Sequence, residues 1–222
     1  MFDQIKLIVV NAYRHYLEEV LAKNLPEKHE QIRAMFDTHM GHIAQYCIDN
    51  YMNKSELTIP FIKGLHKIFF PKGYTQTKKT IEGLVIVSMI PGQYKTLDNA
   101  GVNYINPDEE VVLTAPVEVK ESMKWLISNF NFSIKQEADK QTKQDTILYF
   151  ILDFLYIHPF GDANGRVACI LTDIILVKYG LSPIYFYLIK EKNLEGLYRA
   201  VQLSVTTRDL KYLYEVIEKY SD

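Results

Sequence analysis

Apolar residues recur at helical spacing along most of the chain. Over about residues 2–22, Ile5, Ile8, Val9, Tyr13, Tyr16, Leu17, Val20 and Leu21 fall three and four apart, which predicts an amphipathic helix. Pro26 interrupts that run, and a second helical stretch follows over about 27–51. Ser55 reads as the N-cap of a third helix carrying Phe61, Ile62, Leu65, His66 and Phe69, closed by a Pro71-Lys72-Gly73 turn. Between Leu84 and about Leu113 the residues alternate more. Pro91-Gly92, Asp98-Asn99-Ala100-Gly101 and Asn106-Pro107 punctuate the stretch, which reads as a short hairpin or loop. Helical spacing returns over about 117–130, 142–157, 166–178 and from Asn193 to the end. The pattern predicts one all-α domain with a small β element.

Composition narrows the picture without redirecting it. The 222 residues are long enough for one domain with its own core, and 48% hydrophobic against 23% charged is ordinary globular usage. A net charge of −2 argues against a general nucleic-acid binder, which needs a basic excess, but one local cluster can still hold a few phosphates. Two cysteines, Cys47 and Cys169, imply no disulfide framework and fit a reducing compartment. No secretory leader and no membrane span are read from the sequence: Leu7-Ile8-Val9-Val10 is short, and Asp3 stands at its front. A cytoplasmic protein is the expectation, with delivery into another cell left open. His39 and His42 stand three apart on a helical stretch, with no third metal ligand that has a reason to converge.

Chemistry concentrates in His158-Pro159-Phe160-Gly161-Asp162-Ala163-Asn164-Gly165-Arg166. An apolar helix runs into His158, and Pro159 biases that histidine away from helical backbone, so the helix ends there. A tight loop follows, and then an apolar helix begins. Such a loop offers unpaired N–H groups and the positive end of a helix dipole, which together attract an anion. Arg166 adds a planar cation suited to phosphate oxygens. Asp162 is a ligand of the kind Mg²⁺ uses beside substrate phosphates. His158 has an ordinary pKa near neutrality and suits a general base. Taken singly, each residue reads as a cap, a turn residue or a surface charge. Together, at this spacing, they read as a phosphate-transfer site.

The segment resembles the signature of the Fic/Doc family, His-Pro-Phe-x-Asp/Glu-Gly-Asn-Gly/Lys-Arg, and departs from it at Ala163 alone. The likeness extends to the apolar-His helix ending Gly64-Leu65-His66-Lys67-Ile68-Phe69. It also takes in Pro91-Gly92-Gln93-Tyr94-Lys95, which resembles the start of the family's flap hairpin. The resemblance implies a Fic-type helical bundle over residues 55–214 with a β-hairpin flap beside the site. Residues 1–54 are then a helical extension, and 215–222 the end of the C-terminal helix. It further implies His158 as the base that deprotonates a target Ser, Thr or Tyr hydroxyl, and Asp162 as the Mg²⁺-positioning residue. On the same resemblance Gly161, Ala163, Asn164 and Gly165 are expected to form the anion-binding turn, Arg166 to grip phosphate, and Phe160 to anchor the loop in the core. Tyr94 and Lys95 are expected on the edge of the flap that holds the target segment by strand addition. The partners so implied are a hydroxyl-bearing target protein, a nucleotide, and an antitoxin or other regulator.

The family's typical reaction transfers AMP from ATP, so a protein adenylyltransferase is the first reading. Two departures keep other donors in view. Many AMP-transferring members carry a second arginine where this chain has Cys169. The Asp-Ala-Asn turn is similar to that of Doc, a phosphotransferase, and to that of relatives that transfer phosphocholine from a cytidine nucleotide. Gly165 stands where Doc-like members have lysine, which favours nucleotidyl transfer. No Ser/Thr-x-x-x-Glu-Gly/Asn stretch, the family's built-in inhibitory motif, is found. A non-catalytic binding module is the reading from another class. The intact His158, Asp162, Asn164 and Arg166 speak against it, since a module that only binds has no chemical need for all four.

Overall fold

The computed structural model describes residues 1–69, 74–80, 83–136 and 139–220. Helix α1 spans Phe2–Ala22, a short 3₁₀ turn opened by Pro26 follows, and α2 spans His29–Cys47. The chain then widens into one π-type turn over Ile48–Met52 before α3, Ile59–Phe69. The cap of α3 is Thr58 rather than the expected Ser55: the Phe61 N–H donates to Thr58 Oγ1 at 3.2 Å. Pro60 in the first turn needs no N–H partner there, which explains the later start. The Pro71-Lys72-Gly73 turn lies outside the described residues.

Two antiparallel hairpins follow, and they belong to separate sheets. Strands β1 (Tyr74–Thr80) and β2 (Gly83–Met89) pair with Tyr74 opposite Met89. Strands β3 (Ala100–Val102) and β4 (Glu110–Val112) pair with Ala100 opposite Val112. The sequence pattern anticipated strand character only from Leu84, because β1 (Tyr-Thr-Gln-Thr-Lys-Lys-Thr) has no alternation of apolar and polar residues.

The remaining helices are α4 (Pro116–Ser133), α5 (Lys140–Ile157), α6 (Asn164–Lys178), α7 (Phe186–Lys192), α8 (Leu194–Thr207) and α9 (Lys211–Tyr220). Asp139 caps α5, its Oδ1 accepting from the Thr142 N–H at 2.8 Å, and Asn193 caps α8 through the Gly196 N–H. The single helix expected from Asn193 onward is two, broken at Arg208, whose backbone is left-handed at φ 54. Hence the fold is all-α with two small hairpins.

Helix α6 is the centre. Val167, Ile170, Leu171, Ile174, Ile175 and Leu176 are fully buried, each burial stabilising by roughly 1.5–3 kcal/mol. Helices α1, α3 and α5 pack against it, so Ile5, Ile8, Val9 and Tyr13 of α1 enter the same core. Polar Asp173 is buried on α6 as well. Its Oδ1 accepts from the backbone N–H groups of Ile184 and Tyr185 at 2.8 and 3.1 Å, fastening the chain just ahead of α7. Among the described residues no helix is long and apolar enough to cross a membrane.

Candidate active site

Helix α5 delivers His158 in the left-handed region, φ 49 and ψ 59, and its N–H closes the helix on Phe154 O at 3.0 Å. Non-glycine residues occupy that region at a cost, and here Pro159 bars the helical alternative. The half-buried ring sets Nδ1 3.2 Å from Leu155 O. A carbonyl only accepts, so Nδ1 carries the hydrogen and the neutral ring has its lone pair on Nε2, the nitrogen a base uses.

The loop beyond is closed on itself. The Phe160 N–H donates to Asn164 Oδ1 at 2.9 Å, and Asn164 Nδ2 donates back to Phe160 O at 2.8 Å. Both residues are buried, so this reciprocal pair satisfies groups that water cannot reach. Ala163, the residue ahead of α6, is left-handed too, at φ 61 and ψ 9, and 5% exposed. At Gly161 an added Cβ would stand 2.7 Å from the Met89 methyl, so bulk there meets β2. Gly165 is exposed and open: nothing lies within 4 Å of where a Cβ would be.

Asp162 turns one carboxylate oxygen to the Ala163 N–H at 2.6 Å and the other to Arg166 at 3.5 Å. Its side chain is 43% exposed, so the carboxylate is accessible to an ion from solvent. Among the described residues no three His, Cys, Asp or Glu side chains cluster as a metal cage. One carboxylate beside substrate phosphates is nevertheless a set that Mg²⁺ accepts, so the residue fits the ion.

Beneath the loop lies His66 of α3, fully buried. Its ring stacks on Phe160, centroids 3.9 Å apart and planes 19° apart. Nε2 meets Asp162 O at 3.3 Å and Nδ1 accepts from the Gly92 N–H at 2.9 Å. Burial pushes its pKa down to about 4, outweighing the opposing pull of the Asp162 carbonyl, so the ring is neutral. The sequence singled out this histidine by pattern alone and gave no hint of its partners.

Tyr94 and Lys95 lie close to the loop but not where the sequence put them. They sit on irregular backbone between β2 and β3 rather than on a hairpin edge. The Lys95 N–H donates to Pro159 O at 2.9 Å, the Tyr94 ring stands 6.0 Å from Phe160, and Lys63 Nζ lies 3.9 Å over the Tyr94 ring. With its N–H taken up by Pro159 and 6% of its surface exposed, Lys95 has no free strand edge at that amide. The hairpin of this region is β3–β4, which begins five residues later.

That hairpin, the end of α5 and α8 enclose a cavity of about 510 Å³ lined in part by His158, Tyr104, Val111, Tyr156, Tyr198 and Val201. Tyr104 and Tyr198 stack at 5.2 Å, and Gln202 of α8 bonds both Tyr104 N and Val102 O, so α8 holds the hairpin in place. A smaller cavity of about 70 Å³ shares Leu155, Tyr198 and Val201 with the first and is lined by Gly165, Arg166, Cys169 and Lys190. Asp162, Ala163 and Phe160 line neither. Burial pushes the Cys169 thiol up to about 12, which leaves it neutral. Lys190 and the aromatic wall are contributions that local pattern could not reveal, because they come from segments far along the chain.

A model of the Fic/DOC family matches residues 56–176. The phosphocholine transferase AnkX of Legionella pneumophila is 33% identical over 99 residues, a match covering 44% of this chain and 10% of that protein. Among solved structures, a Fic domain-containing signalling protein from Bacteroides thetaiotaomicron superposes with a TM-score of 0.61 at 19% identity, covering 99% of this chain and 82% of that one. The BepC effector of Bartonella tribocorum, with bound AMPPNP, gives 0.51 at 12% identity, covering 85% and 87%.

Proposed function

Since the chain belongs to the Fic/DOC family, we propose that it moves a phosphate-containing group from a nucleotide donor onto a hydroxyl of another protein, with His158 as the base. The observation that carries this is the ring of His158: Nδ1 is committed to Leu155 O, Nε2 bears the lone pair, and the residue lines the cavity of about 510 Å³ beside the loop. A target hydroxyl gives its proton to Nε2 while its oxygen attacks the donor phosphorus. The new O–P bond forms as the bond to the bridging oxygen breaks, and the leaving phosphate departs with that electron pair. Arg166 and the first N–H groups of α6 offset the negative charge shared among the phosphate oxygens. Asp162 would hold Mg²⁺, which when bound neutralises donor phosphate charge.

Two donors fit this scheme. The typical family reaction makes AMP from ATP the transferred group, with pyrophosphate leaving. Phosphocholine from CDP-choline, with CMP leaving, is favoured by the neutral, half-buried Cys169, which offers a third phosphate no cation. The alanine in the turn and the likeness to AnkX point the same way. The protein is to be incubated with a cell lysate and each labelled donor in turn. Label should appear on protein from one donor and vanish with His158→Ala, whose fold should persist because the residue is half-buried at a helix end. Near-normal transfer by that variant would overturn the base assignment.

A further inference from the structure

We infer that His66 is the positioning residue of this site, a single ring that bolts the donor-side loop to the Gly92 turn. The inference rests on the transfer reading just given, but its geometry stands without it. The imidazole uses its two nitrogens in opposite senses: Nε2 donates to the Asp162 carbonyl and Nδ1 accepts from the Gly92 N–H. Its face lies on Phe160, the loop's buried anchor. No other side chain among the natural amino acids offers a donor and an acceptor on opposite edges of one flat, stackable ring.

Two segments therefore share one fixed point. Asp162 belongs to the loop that meets the nucleotide. Gly92 opens the strip that runs through Lys95, bonded to Pro159 O, and Asn99, whose amide reaches Phe160 O at 3.5 Å, into hairpin β3–β4. Gly92 is itself left-handed, at φ 73, and an added Cβ would stand 2.9 Å from Lys63 O, so the turn is pressed directly against α3. His66 sets the spacing between the loop that holds the donor and the strip that leads to the large cavity.

Amide side chains separate the two links. Glutamine places its Nε2 near that of histidine and keeps a donor for Asp162 O, with nothing for the Gly92 N–H. Asparagine places its oxygen near Nδ1 and keeps an acceptor for Gly92, with nothing for Asp162. Phenylalanine keeps the stack and loses both. The experiment measures hydrogen exchange over residues 90–95 and 158–166, and calorimetric affinity for ATP and CDP-choline with Mg²⁺, in the full chain. Asparagine should retain protection at 90–95 but weaken binding of the accepted donor by about fivefold to tenfold, the worth of one backbone hydrogen bond. Glutamine should show the reverse, and phenylalanine should lose both. Uniform loss of protection in all three variants, or wild-type donor affinity with wild-type exchange at folded protein, would overturn the positioning role. If neither nucleotide binds the wild type, the transfer reading fails while the exchange pattern still judges the clamp.

Discussion

Asp173 makes the most exacting test of how α6 is built. Burial raises its carboxyl from an ordinary 3.8 to about 7, against the two backbone N–H bonds that pull it down. A raised acid pKa means that the folded state keeps a proton which the unfolded chain releases. Stability is therefore greatest near pH 4 and falls as pH rises toward 7, beyond which both states are ionised. A gap of about three units at about 1.4 kcal/mol per unit sets a ceiling of about 4 kcal/mol on the loss. Asp173→Asn removes the titration but keeps an oxygen for Ile184 and Tyr185. Denaturant unfolding at several pH values between 4.5 and 8 should give curves that coincide at the acid end and separate steadily, the variant becoming the more stable. Parallel curves across that range would refute the reasoning, and would mean that the carboxylate is solvated or paired well enough to ionise inside the fold.

Asn164→Ala should cost about 2–3 kcal/mol in the same assay, because it removes both bonds to Phe160 and orphans a buried N–H; a loss under 1 kcal/mol would show that the loop closes without it. Ala163→Gly should stabilise by up to about 1 kcal/mol, since the left-handed backbone is free to glycine, less the entropy glycine gains when unfolded. A thermal melt shows the sign. Cys169→Arg should tighten ATP by up to about tenfold in calorimetry while leaving CDP-choline unmoved, as a guanidinium one turn beyond Arg166 adds one charge-assisted contact. An unchanged ATP affinity would mean that another group, such as Lys190 on the wall of that cavity, already serves the far phosphate.

Helices with strong apolar periodicity were legible in the sequence because each is a local property of a dozen neighbouring residues. The nine-residue motif was legible for the same reason, as all its members lie on one short loop and the first turn of α6. What escaped depended on distance or on polar backbone. Strand β1 pairs through its main chain and has no apolar face to read. The cap of α3 fell to Thr58 because Pro60 constrains the first turn. The break at Arg208 rests on one left-handed residue of a type that usually continues a helix. Tyr94 and Lys95 were placed near the site but on the wrong backbone, since Pro159, more than sixty residues away, consumes the amide that a strand edge would need. Likewise His66 stood out only as part of an apolar-His helix pattern, and its bonds to Asp162 and Gly92 leave no trace in α3 itself.

The burial of α6 has a consequence for how such a molecule can change over generations. Substitutions along that helix are felt as lost stability before they are felt as altered chemistry, because nearly every position is packed. Hairpin β3–β4 and the facing side of α8 meet through a few contacts, Gln202 and the Tyr104–Tyr198 pair among them. Variation there reshapes the cavity wall and leaves the buried side of α6 as it is. Under the proposed function, that division would let the wall that meets a target vary while the helix carrying the motif stays fixed by its packing.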